Sequence, residues 1–450
     1  MPDAADVLAL CDVAVATATE SEALEAYAEE SRHTEASSLR GEVEGLRFAE
    51  SRGIGVRVIR EGRVGYAWAA DPTPDEVRTT VGRARENAAL AEPDEAHVLP
   101  DAAEVALMPE LFREASAAVP TAAKVDLAIA IERRAISRDP RSTKVELAQV
   151  GDAVSRVAVA STTGVRAGYA RTDAWCVVVT LAGDDDETQT GFSFRIGRGI
   201  DELDWEPVVD EAIERGVRML GATKPPTARV PVLLDRHAAT SFLGVLASAL
   251  SADSVQKGRS LFAGREGDAI GSGSFTLVDD GRHPDGPAAA PFDGEGTPTG
   301  RTELFTDGVL QGFLHDAVTA ARAGDGQRPT GNGTRSGYRS LPGVGTTNFY
   351  VDAGTSTFDE LLAAAEGGVL IQEVSGVHSG ANPISGEFSV GATGLRISGG
   401  ALAEPMREMT IASTLPEMLA GVAGVGDDLR FFSSVGTPTI LIGEMTLAGF

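Results

Sequence analysis

Apolar and polar residues alternate along much of the first 200 positions, a pattern typical of half-buried β-strands. The alternation is clear in Gly53–Ile59 and Arg63–Ala69, which flank the short turn Glu61–Gly62, so the two runs predict an antiparallel hairpin. A strand is also predicted over Leu24–Glu30, followed by a polar loop over Arg32–Arg40. These strands should form an antiparallel sheet.

Two later runs, Thr143–Val150 and Ala153–Ser161, also read as strands, and the intervening Gly151–Asp152 predicts a turn between them. Helices are predicted where apolar residues recur every three or four positions. One begins after Thr73, because Thr73, Pro74 and Glu76 form a capping box with proline in the first turn. Another is predicted over Thr121–Ser137.

The best linker is the segment 222–228, ATKPPTA, which has two prolines and no periodicity. It predicts an α+β N-terminal domain over 1–221, an antiparallel sheet plus helices, and a second domain over 229–450. The second domain starts with a strand, Val230–Leu234, and a helix capped by Asp235. The rest is Gly-rich with short apolar runs, which favours a β-rich domain built as a barrel or curved sheet.

Composition excludes several classes of function. The chain has 450 residues, 42% of them hydrophobic, and a net charge of -27, so it encodes a sizeable core and an acidic surface. A nucleic-acid partner is not expected, because such proteins present a basic face. No run reaches the length of a membrane helix, the first residues lack a basic signal-peptide region, and Cys11 and Cys176 show no disulfide or metal spacing. We therefore expect a cytoplasmic protein.

Polar residues in Gly-rich turns are the candidates for chemistry. They comprise two acidic pairs, one histidine and one asparagine: Asp279, Asp280, Asp293, Glu295, His315 and Asn332. Paired carboxylates can act as general acid and base when they face each other across a cleft. The alternative is a structural role, since Asp and Asn side chains bond to nearby backbone groups in turns. No two histidines lie within five residues of each other, so a helical pair of metal ligands is excluded.

A series of motifs in the C-terminal half resembles the TldD/TldE (PmbA) family, whose members were once called modulators of DNA gyrase. The motifs carry this resemblance by their order and spacing: Thr276–Asp280, Pro291–Gly296, Asp307–Phe313, Thr330–Asn332, Asn382–Ser389, Val425–Leu429 and Gly443–Gly449.

The resemblance implies a metalloprotease in which TldD-type chains carry HExxxH on the helix that follows Asp235. In one register His237 is followed by Ala238, and Phe242 stands where the second histidine would be. Counted back from Lys257–Gly258, the window is instead 243–248, LGVLAS, which has no ligand. The C-terminal segment that supplies a cysteine in TldD-type chains, 430–436, has none here. The chain therefore resembles the TldE type. That resemblance implies no catalytic residue and no metal on this chain, and zinc on a TldD-type partner.

The expected partners are thus a TldD-type catalytic subunit and unfolded peptide, with a homodimer possible when the chain is alone. Two alternatives stay open. One is a self-contained hydrolase whose site is built from the carboxylates and His315. The other is a non-enzymatic protein that modulates gyrase or a toxin–antitoxin system.

Overall fold

A six-stranded antiparallel sheet organises the first half of the chain in this computed structural model, which describes residues 4–184 and 187–449. The strand order is β3-β2-β1-β4-β5-β6. The strands are β1 (Ala23–Leu39), β2 (Glu42–Arg60), β3 (Arg63–Ala70), β4 (Ser142–Ser161), β5 (Arg166–Gly183) and β6 (Thr188–Gly197). The helices of this half are α1 (Ala5–Val15), α2 (Pro74–Leu90), α3 (Glu114–Ala117), α4 (Thr121–Ser137) and α5 (Trp205–Val217).

Four of these helices cover one face of the sheet. Helices α1 and α2 pack on β1, β2 and β4, while α4 and α5 pack on β4 and β5. The opposite face is buried against the second half of the chain, where Tyr27 and Val159 meet Phe292 and Tyr338. The helix predictions are confirmed here, including the capping box at Thr73, as is the hairpin around Glu61–Gly62.

Two strand predictions are wrong, because the strands are longer than their turn-like residues indicated. The predicted loop Arg32–Arg40 is mostly strand, since β1 continues to Leu39 in register with β2. The predicted turn at Gly151–Asp152 lies inside the 20-residue β4. Gly151 lies opposite Trp175, and a Cβ at that position would stand 2.3 Å from the indole ring. The glycine therefore makes room for a side chain on the next strand.

The second half contains two further large sheets. Its helices are α6 (Arg236–Ala249), α7 (Ala252–Gln256), α8 (Ala317–Ala323), α9 (Phe358–Ala364), α10 (Val377–Gly380) and α11 (Leu415–Ala420). Its strands are β7 (Ala228–Leu234), β8 (Leu277–Asp280), β9 (Arg301–Thr306), β10 (Val309–Leu310), β11 (Gly333–Thr334), β12 (Gly343–Val344), β13 (Phe349–Val351), β14 (Val369–Ser375), β15 (Glu387–Ser398), β16 (Ala401–Thr414), β17 (Val422–Val425), β18 (Arg430–Phe432), β19 (Val435–Thr437) and β20 (Ile440–Ala448).

Strands β16, β15, β14, β7 and β20 form a closed barrel, because β16 also pairs with β20. The α+β class and the barrel-like C-terminal region are thus confirmed. Helix α6 packs in the large core between this barrel and the other sheet, whose order is β10-β9-β8-β13-β19-β18. Thr223, in the predicted linker, bonds through its backbone to Pro405 and Arg407. The division at 222–228 stays a prediction. No helix among the described residues is long and apolar enough to cross a membrane.

Candidate functional site

Helix α6 begins where β7 ends, and Asp235 connects the two. Its carboxylate accepts a hydrogen bond from the backbone N–H of His237 at 2.8 Å, as an N-cap should. The same carboxylate pairs with Arg215 of α5 at 3.2 Å. The start of α6 is therefore fixed to both halves of the chain.

The His237 side chain lies among phenyl rings. Its ring centroid is 5.6 Å from those of Phe192 and Phe432, and Phe432 also meets Phe194 at 5.7 Å. We call Phe192, Phe194, His237 and Phe432 the aromatic cluster. Burial, together with the positive charge of Arg215, lowers the pKa of His237, so the imidazole packs as a neutral ring near pH 7.

The side chains at this end of α6 do not fit the zinc site that the family implies. Ala238 has no donor atom, and Phe242 is fully buried with its ring edge-on to Phe388 at 6.3 Å. The segment 430–436 contacts α6 through Phe432 and contains no cysteine. Within 4–184 and 187–449, no three His, Cys, Asp or Glu side chains are placed to hold a metal ion. Zinc needs at least three such ligands.

A cleft of about 540 Å³ opens beside the aromatic cluster. It lies between two sheet edges, since β6 ends the first sheet and β18 ends the second, and the loop 283–287 closes one side. Arg430 spans the cleft: it donates to Phe194 O at 2.7 Å and pairs with Glu211 at 2.7 Å. Because alternate residues of a strand direct their backbone groups to the same side, the N–H and C=O of Ile196 also point into the cleft. An extended chain could add to this edge.

The predicted polar residues are brought together elsewhere, between the two halves of the chain. Asp279 is buried and accepts hydrogen bonds from Asn332 Nδ2 at 2.8 Å and from the Thr347 backbone and hydroxyl at 2.7 and 2.6 Å. Burial raises the pKa of Asp279. Asp280 is not part of this group, because its carboxylate turns to the backbone N–H of Arg282 at 2.9 Å.

Asp293 and Glu295 are also buried. Asp293 accepts from the backbone N–H groups of Glu295, Thr297 and Gly333 at 2.7 to 3.0 Å. Burial and the Glu295 carboxylate raise the pKa of Asp293 to about 8, while the three N–H donors act in the opposite direction. Burial likewise raises the pKa of Glu295, and the nearby Arg57 opposes the rise.

His315 reaches this group through Thr330. The backbone N–H of His315 donates to Thr330 Oγ1 at 2.8 Å, and that hydroxyl donates to Asn332 Oδ1 at 2.7 Å. Burial lowers the pKa of His315, whose Nδ1 has no hydrogen-bond partner in the described part of the chain. Asp279, Asn332 and the backbone of His315 thus share one set of hydrogen bonds, while Asp293 and Glu295 form an adjoining set that meets it at the backbone of Gly333. The carboxylates of Asp279 and Asp293 are held mainly by backbone and amide donors.

Sequence reasoning missed the residues that complete this network. Arg57 of β2 is buried and pairs with Glu25 of β1 at 2.7 Å and with Glu295 at 2.9 Å. Arg335 pairs with the other oxygen of Glu25. The available signal was a lone arginine in the apolar run GIGVRVI, since a charge there needs a buried partner. We call Glu25, Arg57, Glu295 and Arg335 the buried ion network.

Comparison with known proteins assigns all three parts of the chain to one family. Residues 24–88 match PmbA/TldA metallopeptidase domain 1, residues 114–220 match its central domain and residues 227–449 match its C-terminal domain. The chain belongs to the PmbA/TldD family.

Named relatives agree with this assignment. The chain is 26% identical to Metalloprotease PmbA of Escherichia coli O157:H7, over 91% of this chain and 88% of the relative. It resembles the crystal structure of a putative modulator of a DNA gyrase from Thermotoga maritima, with a TM-score of 0.89 and 25% identity over 98% of this chain and 99% of that one. TldE from Thermococcus kodakarensis shares the fold, with a TM-score of 0.87 and 23% identity over 95% and 97% of the two chains.

Proposed function

We propose that this chain is the TldE/PmbA-like, non-zinc subunit of a cytoplasmic, heteromeric TldD/TldE-type metalloprotease that processes unfolded peptides. The observation that carries the proposal is the set of side chains around the start of α6. Matched on its histidine, the HExxxH window of a TldD-type chain corresponds here to His237, Ala238 and Phe242; counted back from Lys257–Gly258 it corresponds to 243–248, LGVLAS, which has no ligand. A histidine packed among phenyl rings and a fully buried phenylalanine support a packing role for the helix.

In this proposal the TldD-type partner supplies zinc and the base, and this chain completes the cavity that admits peptide. Substrate contact is assigned to the cleft between β6 and β18. Free edges such as that at Ile196 suit an extended peptide, because main-chain hydrogen bonds hold it without demanding a particular sequence. The net charge of -27 supports a protein or peptide partner in preference to a nucleic acid.

The test is a peptidase assay on unfolded peptide with the chain alone, the TldD-type chain alone, and the two co-expressed. We expect cleavage by the pair, abolished when the first histidine of HExxxH in the TldD-type chain is replaced. The matched change here, His237→Phe, should leave cleavage within about twofold, since the residue serves only packing. Loss of cleavage on His237→Phe in a folded, assembled pair would contradict the proposal.

The same assay separates the alternatives. A self-contained hydrolase would cleave peptide without a partner and would lose activity on Asp293→Asn or His315→Ala. The name of the Thermotoga maritima protein, a putative modulator of a DNA gyrase, motivates the non-enzymatic alternative. That alternative requires the regulatory effect to persist in cells that lack any TldD-type chain.

A further inference from the structure

The cleft between β6 and β18 continues as a second cavity over the face of the first sheet. This second cavity has a volume of about 360 Å³, and Ile196 and Pro287 line both spaces. Its floor comes from β5 and β6, and its roof comes from the loop 287–288 and the turn 433–434 in the second half of the chain. We call it the Trp175 pocket, formed by Trp175, Ile196, Pro287, Ala288, Ser433 and Ser434.

Trp175 belongs to a row of residues that crosses three strands and ends at the open sheet edge. Gly151 of β4 pairs with Trp175 of β5, and Trp175 pairs with Ile196 of β6. Directly paired residues carry their side chains on the same face of a sheet. That face is turned away from the helices, because the next residue, Cys176, packs among α4 and α5. The row therefore reaches the cleft at Ile196.

The indole leaves the edge end of this row open. A Cβ on Gly151 would stand 2.3 Å from the Trp175 ring, so the ring lies over the glycine, on the side away from the edge. Ile196 is half-buried, and none of the described residues continues the row beyond it. The place next to Ile196 is thus available to a side chain from outside the fold.

The charged groups at the border of the pocket are already paired. Arg171 donates to the Asp173 carboxylate at 2.5 and 2.7 Å, and Arg198 donates to the same carboxylate at 2.7 Å. Arg171 also donates to Pro287 O at 2.5 Å, and Arg198 to Gly286 O at 2.9 Å, so these bonds hold the roof to the floor. Two cations on one carboxylate disfavour a basic side chain here. The remaining lining is an indole, a proline ring, two aliphatic side chains and two serines.

An extended peptide that adds to β6 supplies the next member of the row. Adjacent strands lie about 4.8 Å apart. The peptide residue opposite Ile196 therefore places its Cβ about 5 Å from that of Ile196, on the same face. Its side chain enters the Trp175 pocket, while the residues before and after it direct their side chains to the other face. One peptide position is read by a pocket, and main-chain bonds hold the rest.

We propose that the Trp175 pocket binds one large apolar side chain of the peptide, aromatic or branched aliphatic. This inference rests on the proposed function, because it names the substrate class of the cleft assigned there to substrate contact. Side chains of this kind are mostly buried in folded proteins and become exposed when a chain unfolds. A pocket that requires one of them therefore favours unfolded peptide over the surface of a folded protein.

The test is fluorescence anisotropy of short labelled peptides titrated with the full-length chain alone. The peptides share one sequence and differ only at a central position, which is Phe, Leu, Ala, Glu or Lys. We expect the Phe and Leu peptides to bind about 10- to 100-fold more tightly than the Ala peptide, the gain from burying one such side chain. The Glu and Lys peptides should bind no more tightly than the Ala peptide.

Two variants change the pocket from opposite sides. Trp175→Ala removes the floor, and Ala288→Phe fills the space from the roof. Each should reduce the preference for Phe over Ala to about threefold or less, because the peptide side chain loses its buried surface. The matched control is Trp68→Ala on β3 of the same sheet, a residue that is 44% exposed and outside the cleft, and it should keep the full preference. Circular dichroism checks that all three variants fold.

Equal binding of the Phe and Ala peptides overturns the proposal, as does tightest binding of the Glu peptide or no binding of any peptide. So does a preference that survives in both folded pocket variants, or one that Trp68→Ala removes equally. The titration needs neither a TldD-type chain nor cleavage. Failure of this proposal is therefore distinguishable from failure of the proposed function, which the peptidase assay on the pair decides.

Discussion

Replacing Arg57 by methionine removes the central cation of the buried ion network. The Arg57 side chain is 4% exposed, and its partners Glu25 and Glu295 are 1% and 0% exposed. Glu25 keeps Arg335, but among the described residues Glu295 keeps only the backbone N–H of Ala317 as a donor. An unpaired buried carboxylate costs about 3 to 5 kcal/mol of folding free energy, while methionine preserves most of the side-chain volume.

The assay is urea denaturation followed by two probes. All three tryptophans lie before the predicted linker, so their fluorescence reports the first half, whereas far-UV circular dichroism reports the whole chain. Because the network joins β1 and β2 to the segment around Glu295, we expect both midpoints to fall together. The matched control is Arg60→Met on the same strand. Because the Arg60 side chain is exposed, this change should alter the free energy of unfolding by about 0.5 kcal/mol or less.

A double variant shows whether the cost comes from the unpaired charge. Adding Glu295→Gln to Arg57→Met removes the unpaired carboxylate. The double variant should therefore regain about 1 to 3 kcal/mol of the free energy of unfolding that Arg57→Met loses. If Arg57→Met behaves like Arg60→Met, or if the double variant is the sum of its singles, the network does not stabilise the contact between the two halves as argued.

Two other predictions concern packing. His237→Phe should reduce the loss of stability at acid pH. The folded-state pKa of His237 is lowered below 6.5, so the stability that the neutral ring contributes is present above that pH and lost as pH falls. In urea titrations, the free energy of unfolding of the variant relative to wild type should grow by about 1 kcal/mol from pH 7.5 to 5, and an unchanged difference would contradict a buried neutral ring. Gly151→Ala should lower the free energy of unfolding by about 1 to 3 kcal/mol, because its Cβ would meet the Trp175 ring at 2.3 Å. The control Gly82→Ala, in open space within α2, should raise the free energy of unfolding by up to about 1 kcal/mol. Equal effects of the two changes in thermal melts would refute the steric argument.

Local patterns predicted the helices well but misplaced the ends of the long strands. The capping box at Thr73 is a local signal, since the bonds it predicts join residues three apart. A glycine such as Gly151 can indicate either a turn or a closely packed neighbouring side chain. Here the neighbour is Trp175, which lies 24 positions away on another strand. A strand of 20 residues that continues through a glycine is therefore hard to distinguish from a hairpin.

The candidate site shows the same limit at longer range. The Gly-rich turns singled out Asp279, Asp293 and Asn332 as candidates, and the structure places Asn332 on Asp279 and the Gly333 N–H on Asp293. Their role stays a prediction. The cation that balances Glu295 comes from Arg57, 238 residues earlier, and no local pattern pairs them. The cleft between β6 and β18 was also not predicted, since its walls come from segments far apart in sequence: Arg113, 194–202, 283–287 and 429–431.

The measurement that tests the central claim most directly is zinc content by mass spectrometry of the purified chain, of the TldD-type chain and of their complex. The account predicts no stoichiometric zinc on this chain, and zinc in the complex that disappears when HExxxH of the TldD-type chain is changed but persists in His237→Phe. Stoichiometric zinc on the isolated chain, lost on His237→Phe or His315→Ala, would contradict the assignment of this chain as the non-zinc subunit.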